Sequence, residues 1–176
     1  MMKIYIGTSG YNYSHWKNIF YPENLKTKDL LKFYSQHFNS VELNVTFYHT
    51  PSKETFQNWF KIVPNDFKFI VKGTRFITHI KKLKNCEVPL KVFFSNIKTL
   101  KNKLLCVLWQ LPPFLKCNLK NLEDFFKLLK KFSPSCLYSF EFRNNSWFNK
   151  EVYQLMKTYK INLCIADSPY FPCEEI

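Results

Sequence analysis

The sequence lacks the features of a linker-rich, membrane-spanning or exported protein. It contains only three glycines in 176 residues, and no short repeat or low-complexity window marks a domain boundary. No apolar run approaches the ~20 residues that cross a bilayer. The first residues turn polar too soon for the apolar core of a secretory signal. These absences predict one soluble, cytoplasmic domain over residues 1–176, with no membrane as its partner.

Paired cysteines and clustered histidines are also missing. The six cysteines stand far apart without a C-x-x-C pair, which is the spacing typical of zinc and redox sites. The four histidines form no H-x-H or H-x-x-x-H pattern. We therefore expect reduced thiols and no metal, and no cofactor is indicated. A magnesium site on Glu42, Glu141 and Asp167 stays open as an alternative.

Acidic residues are half as numerous as basic ones. Thirteen Asp and Glu stand against 26 Lys and Arg, for a formal net charge of +13. Residues 68–103 hold ten of the basic residues and one acid. Such a segment indicates either a site that attracts phosphate groups or nucleic acid, or a lysine-rich solvated helix face. Both interpretations stay open.

Hydrophobic patterning predicts alternating strands and helices. Five segments, centred on residues 30–38, 56–63, 90–97, 122–129 and 152–159, have the i, i+3, i+4, i+7 spacing of one helical face. Short apolar runs predict strands at residues 4–7, 40–44, 68–72, 104–110, 137–142 and 162–166. Alternation without a hairpin favours right-handed β-α-β units and a parallel sheet. Polar residues near the strand ends are typical of a barrel mouth.

Several motifs occur in an order that resembles the YecE-like family of domains of unknown function. They include Gly7-Thr8-Ser9-Gly10, Val41-Glu42-Leu43-Asn44, Gln110-Leu111-Pro112-Pro113, Glu141-Phe142-Arg143 and Ile165-Ala166-Asp167-Ser168-Pro169. The resemblance implies an α/β fold of the TIM-type (β/α) barrel. Because such a barrel takes ~250 residues, we expect a C-terminally truncated, incomplete barrel with about six of eight strands, forming a single partial domain.

Polar side chains stand where each predicted strand ends, which is where β/α barrels bind ligands. In one interpretation a glutamate is a general base, and Lys72 or Arg143 anchors an anionic substrate. In the other, the cations only neutralise the glutamates. Loop aromatics either pack the rim or stack on a sugar ring or base. Candidate catalytic residues are Glu42, Glu141, Lys72, His79 and Asp167; candidate substrate-binding residues are Thr8, Ser9, Tyr11, Trp16, Asn44, Tyr48, Arg75, Gln110, Arg143 and Trp147.

Three hypotheses follow for function. The first is an enzyme acting by acid/base chemistry on a small anionic ligand. The second is a nucleic-acid-binding barrel that uses the basic segment 68–103. The third is an inactive fragment of a disrupted gene. Absent strands also predict self-association through open sheet edges, with Ile4, Ile6, Leu163 and Ile165 unusually exposed.

Overall fold

The architecture was obtained as a computed structural model, which describes residues 3–132 and 135–172. Within these ranges, five parallel strands lie in the chain order β1-β2-β3-β4-β5. The strands are β1 (Ser40–Leu43), β2 (Lys68–Lys72), β3 (Leu104–Gln110), β4 (Leu137–Glu141) and β5 (Asn162–Leu163). The α-helices are α1 (Leu30–Tyr34), α2 (Val45–Tyr48), α3 (Lys53–Ile62), α4 (Glu87–Ile97), α5 (Leu119–Phe132) and α6 (Lys150–Tyr159). The predicted α/β fold, a partial TIM-type barrel, is confirmed.

The predicted first strand, residues 4–7, is wrong. The Asn39 side chain occupies the backbone groups that would pair with a neighbouring strand: its Nδ2 donates to Ile4 O over 3.0 Å, and its Oδ1 accepts from Ile6 N over 2.7 Å. One backbone hydrogen bond, from Glu42 N to Thr8 O at 3.0 Å, holds the segment beside β1. The described sheet therefore has five strands instead of the expected six.

The predicted last strand, residues 162–166, is shorter than expected. Only Asn162 and Leu163 pair with β4, and Cys164 N adds one hydrogen bond to Phe140 O at 2.8 Å. At the two sides of the sheet, Ile4, Ile6 and Ile165 are 66%, 63% and 54% exposed, as predicted, whereas Leu163 is partly buried against the core.

The apolar core lies between the sheet and its helices. The stripe of α5 that was predicted from its spacing is fully buried, and Phe125 meets the ring of Trp109 at a centroid distance of 5.2 Å. Trp109 and Val107 on β3 and Phe140 on β4 share this helix-covered side with no exposed surface. Because side chains alternate along a strand, the residues between them point to the opposite side, the inner side of the barrel.

Two helix starts show how local sequence fixes the helices around this core. Ser52 Oγ accepts a hydrogen bond from Thr55 N at the start of α3. Asn149 Oδ1 does the same for Val152 N at the start of α6. Each cap satisfies a backbone donor that has no partner within the helix. No helix in the described part of the chain has the length and apolarity to cross a membrane.

Five cysteines lie within the described ranges, and all are free thiols. Burial raises the pKa of Cys86 and Cys136 to about 11 and that of Cys106 to about 12. Burial also raises the pKa of Cys164 to about 11, with the charges of Glu141 and Glu42 adding to the effect. These thiols are therefore protonated at neutral pH and poor nucleophiles. Cys173 lies outside the described residues.

Candidate functional site

Polar residues from four strands meet at the carboxyl edge of the sheet. Lys72 Nζ, at the end of β2, lies 3.7 Å from Oε1 of Glu42 on β1. Glu141, at the end of β4, accepts a 2.6 Å hydrogen bond from Nε of Arg143. Gln110, at the end of β3, pairs in register with Glu141 and is buried. We call these five residues the mouth cluster.

Glu42 has an electrostatic environment that favours its neutral form. Burial raises the pKa of the Glu42 carboxyl above its usual range; the positive charge of Lys72 opposes this rise, and the negative charge of Glu141 adds to it. A hydrogen bond with the Ser9 side chain also acts against the rise. A carboxyl with a raised pKa, held beside cations, can exchange a proton closer to neutral pH than an exposed one.

Thr46 fixes the positions of the two strand ends that carry Glu42 and Lys72. Its buried hydroxyl lies 2.7 Å from Leu43 O and 2.6 Å from Lys72 O. One hydroxyl proton is shared between two carbonyls of neighbouring strands. Sequence reasoning missed this residue, since its role depends on the short helix α2, which turns Thr46 back onto the sheet.

His79 lies at the rim of the mouth, in a single π-helical turn formed by Phe76–Ile80. Its ring contacts the ring of Phe47 at a centroid distance of 5.0 Å, and its Nδ1 lies 2.8 Å from Thr78 Oγ1. Burial lowers the pKa of His79, and the positive charges of Arg75, Arg143 and Lys72 lower it further. His79 is therefore a neutral imidazole at pH 7, facing three cations.

The cations at the mouth outnumber the carboxylates. Lys72 Nζ lies 5.5 Å from the centroid of the Phe47 ring, and the Arg143 guanidinium lies 4.3 Å from the centroid of Phe171. Arg75 is exposed and near enough to act on His79. With Glu42 and Glu141 as the carboxylates of the cluster, the mouth keeps a positive excess that favours an anionic ligand.

A cavity of about 410 Å³ lies beside Glu42, between the loop of residues 9–13 and the end of β1. Asn44 spans it: Nδ2 donates to Ser9 O over 3.0 Å, while its Oδ1 is buried without a hydrogen-bond partner. Burial raises the pKa of the Tyr11 hydroxyl, and the neighbouring Trp59 side chain acts against that rise. Trp59 was missed as a site residue because its spacing indicates only a helical core stripe.

Two predicted substrate-binding tryptophans pack against other aromatic side chains; the burial of Trp147 corrects its assignment, whereas Trp16 is partly exposed. Trp147 is 1% exposed, stacks on Phe142 with ring centroids 5.1 Å apart, and donates its N–H to Leu115 O over 2.7 Å. Trp16 packs in a cluster with Tyr13 and Phe20, at centroid distances of 4.8 and 5.5 Å. Trp147 therefore has almost no surface left for a ligand, and the assignment of Trp16 stays a prediction.

Three further predicted residues are Thr8, Tyr48 and Asp167, and Thr8 O accepts the backbone hydrogen bond from Glu42 N. The Thr8 hydroxyl donates to Gly10 O over 2.6 Å, and Thr8 N donates to the Tyr34 hydroxyl over 2.8 Å, so both groups of Thr8 support the loop. Tyr48 is 78% exposed and contacts Phe47 edge to face. Asp167 is exposed beyond β5. Among residues 3–132 and 135–172, no group of three His, Cys, Asp or Glu side chains is placed to hold a metal ion.

The basic segment 68–103 does not form one surface. Lys68 and Lys72 occupy opposite ends of β2. Lys68 Nζ donates to Asn102 O over 2.6 Å at the amino end of the sheet, near Lys101. Lys103 is buried and donates to the carbonyls of Phe60 and Val63 over 2.7 Å, which closes the carboxyl end of α3. The positive charges are thus divided between the two ends of the barrel.

With the mouth and its cavity defined, comparison with known proteins identifies the family. The family model described as "Protein of unknown function DUF72" matches residues 5–174. This chain belongs to the DUF72 family. The UPF0759 protein YunF of Bacillus subtilis is 31% identical over 160 residues, which are 86% of this chain and 54% of that protein. The UPF0759 protein YecE of Escherichia coli K12 is 28% identical over 109 residues, 62% of this chain and 38% of that protein.

Solved structures of DUF72 proteins share the fold. A DUF72 family protein from Thermotoga maritima superposes with a TM-score of 0.81 at 33% identity, over 97% of this chain and 68% of that one. A DUF72 family protein from Enterococcus faecalis superposes with a TM-score of 0.79 at 23% identity, over 98% of this chain and 65% of that one, and shows the fold alone. This DUF72 chain spans about half the length of YunF.

Proposed function

We propose that the mouth cluster binds a small anionic substrate, and that Glu42 exchanges a proton with it as a general acid or base. The observation that carries the proposal is the pairing of a partly buried carboxyl, whose pKa is raised, with Lys72 at 3.7 Å. That distance is too long for a strong hydrogen bond, so the ammonium keeps donors for a ligand. Glu42 is close enough to the same ligand to take or give a proton.

The other members of the cluster have supporting roles in this proposal. Arg143 offers a planar set of donors that suits carboxylate and phosphate oxygens, and Glu141 holds it in place through Nε. Gln110, buried beside Glu141, orients the ligand through its amide. His79 at the rim is a neutral hydrogen-bonding group, and Arg75 adds a positive charge that draws anions toward the mouth.

Titration calorimetry with inorganic phosphate tests the anion site. Lys72→Ala and Arg143→Ala are each expected to weaken phosphate binding about 10-fold, because a hydrogen bond to a charged group contributes roughly 1.5–3 kcal/mol. Lys91→Ala, an exposed change on α4 away from the mouth, is the control and should leave the affinity unchanged. Equal affinities in all four proteins would contradict the proposal.

The nucleic-acid hypothesis is less favoured, because the basic segment is divided between two ends of the barrel. Binding to a short DNA duplex at several salt concentrations measures how many phosphates one face neutralises. We expect weak binding with a shallow salt dependence. Tight binding with a steep dependence, unaffected by Lys72→Ala, would favour the nucleic-acid function over the enzyme.

A further inference from the structure

Side chains that can accept hydrogen bonds line the cavity beside Glu42. The Glu42 carboxyl lines it; its oxygens accept hydrogen bonds in both protonation states, and the protonated form also donates one. Asn44 lines it as well, and its buried Oδ1 has no partner while its Nδ2 is committed to Ser9 O. Leaving a buried acceptor unsatisfied costs about 1–3 kcal/mol, so a ligand that donates hydrogen bonds is favoured here.

Aromatic side chains form another part of the cavity wall. Tyr11, Tyr13 and Trp59 line it. Tyr11 also packs on Tyr34 of α1, with ring centroids 6.3 Å apart. A wall of fixed aromatic faces beside hydrogen-bond acceptors suits a ring that carries hydroxyl groups, since C–H faces pack on aromatic rings while hydroxyls donate.

Glu42 belongs to both the cavity and the mouth cluster. It lines the cavity with Asn44 and pairs with Lys72, so one ligand touching Glu42 can extend into both. We propose that the cavity holds the ring of a sugar whose anionic group is bound by Lys72 and Arg143. The substrate class is therefore a sugar phosphate or sugar acid, which rests on the proposed anion site and defines its ligand further. In this arrangement, the proton that Glu42 exchanges belongs to a ring hydroxyl, whose oxygen keeps the electron pair of the broken O–H bond.

Calorimetry with three probes separates this inference from the proposed function. The probes are inorganic phosphate, glucose 6-phosphate and ribose 5-phosphate. At least one sugar phosphate is expected to bind about 10-fold more tightly than phosphate, which corresponds to about one added charged hydrogen bond. If phosphate binds and both sugar phosphates bind no more tightly, the sugar inference is overturned and the anion site stands. If none of the three probes binds, both are overturned.

Variants of the cavity wall test where the sugar lies. Asn44→Ala and Trp59→Phe are expected to remove most of the preference for sugar phosphate over phosphate, while phosphate itself binds as before. Asn58→Ala, an exposed asparagine on α3 beside Trp59, is the matched control and should keep the preference. Trp59→Phe retains an aromatic ring, so it provides the test if Asn44→Ala does not fold. A preference that survives both wall variants would overturn the assignment of the cavity.

Discussion

The two halves of the mouth hold their carboxylates differently. Glu141 has a side chain 9% exposed and receives the Arg143 Nε at 2.6 Å, within the range of a strong charge-assisted hydrogen bond. Glu42 is 21% exposed, and its cation, Lys72, remains 3.7 Å away. Both residues are glutamates on strands of one sheet, so the residue type does not account for the difference. The partners do.

The difference follows from where each cation is attached. Arg143 lies two residues beyond Glu141 on the same chain segment, and its guanidinium also rests on Phe171. Lys72 comes from the neighbouring strand, β2. The Thr46 hydroxyl donates a hydrogen bond to the backbone carbonyl of Lys72 and so holds the end of that strand. The Lys72 ammonium is shared between Glu42 and the Phe47 ring. In the proposed function, the tight pair, Glu141 with Arg143, is a support, and the loose pair, Glu42 with Lys72, exchanges the proton.

The largest loss of stability is expected from Gly73→Ala. This change moves the end of β2, which carries Lys72, and leaves Glu141 and Arg143 in place. A Cβ at this position would overlap the Trp109 ring, which is fully buried and packed against Phe93 and Phe125. Overpacking of this kind costs roughly 1–3 kcal/mol and shifts the backbone. Urea unfolding should show this loss, together with weaker phosphate binding because Lys72 is displaced. Wild-type stability and affinity in Gly73→Ala would show that β2 does not position the site.

A smaller loss of stability is expected from Glu141→Gln, which removes the negative charge that faces Arg143. The amide oxygen still accepts from Arg143, but the bond is no longer between two charges, at a cost of about 1 kcal/mol at this buried site. Chemical denaturation at pH 7 measures the change in the free energy of unfolding. If Glu141→Gln is as stable as the wild type, the tight pair is not a support.

The smallest change in stability is expected from Glu42→Gln, and here the protein should become more stable. Because burial raises the pKa of Glu42 in the folded state, its contribution to stability is fully present below the pKa of the unfolded chain and is lost as pH rises through the folded pKa. Removing the charge should therefore raise the Tm slightly at pH 7 and leave it unchanged at pH 4. A lower Tm at pH 7 would indicate that Glu42, like Glu141, is held by its partner.

Sequence periodicity predicted the strands in the middle of the sheet correctly, but it was less accurate for the strands at the two sides. The bounds predicted for β2 and β3 are those observed, because alternating burial and flanking helices leave one arrangement for these strands. Residues 4–7 also have the pattern of a strand, but the Asn39 side chain takes their backbone groups. Competition from one distant side chain does not appear in a local pattern.

The site shows the same division. Polar residues at strand ends predicted the mouth cluster, since the carboxyl ends of parallel strands meet at one edge. The aromatic residues were harder: Trp147 was expected at a ligand but is buried, whereas Trp59 was expected in the core and lines the cavity. Which face of a tryptophan remains open depends on the loops that pack on it, and loop packing has no period in the sequence.

The most direct test of the account is the titration of Glu42 itself. Carbon NMR of glutamate side-chain carboxyls, with Glu42→Gln to assign the signal, gives its pKa in the folded protein. We expect the pKa of Glu42 to lie above the ordinary value of about 4.3, and to rise further in Lys72→Ala because the ammonium opposes the effect of burial. A Glu42 carboxyl that titrates at or below the ordinary value, and does not respond to the loss of Lys72, would contradict its role as the acid/base residue of the mouth.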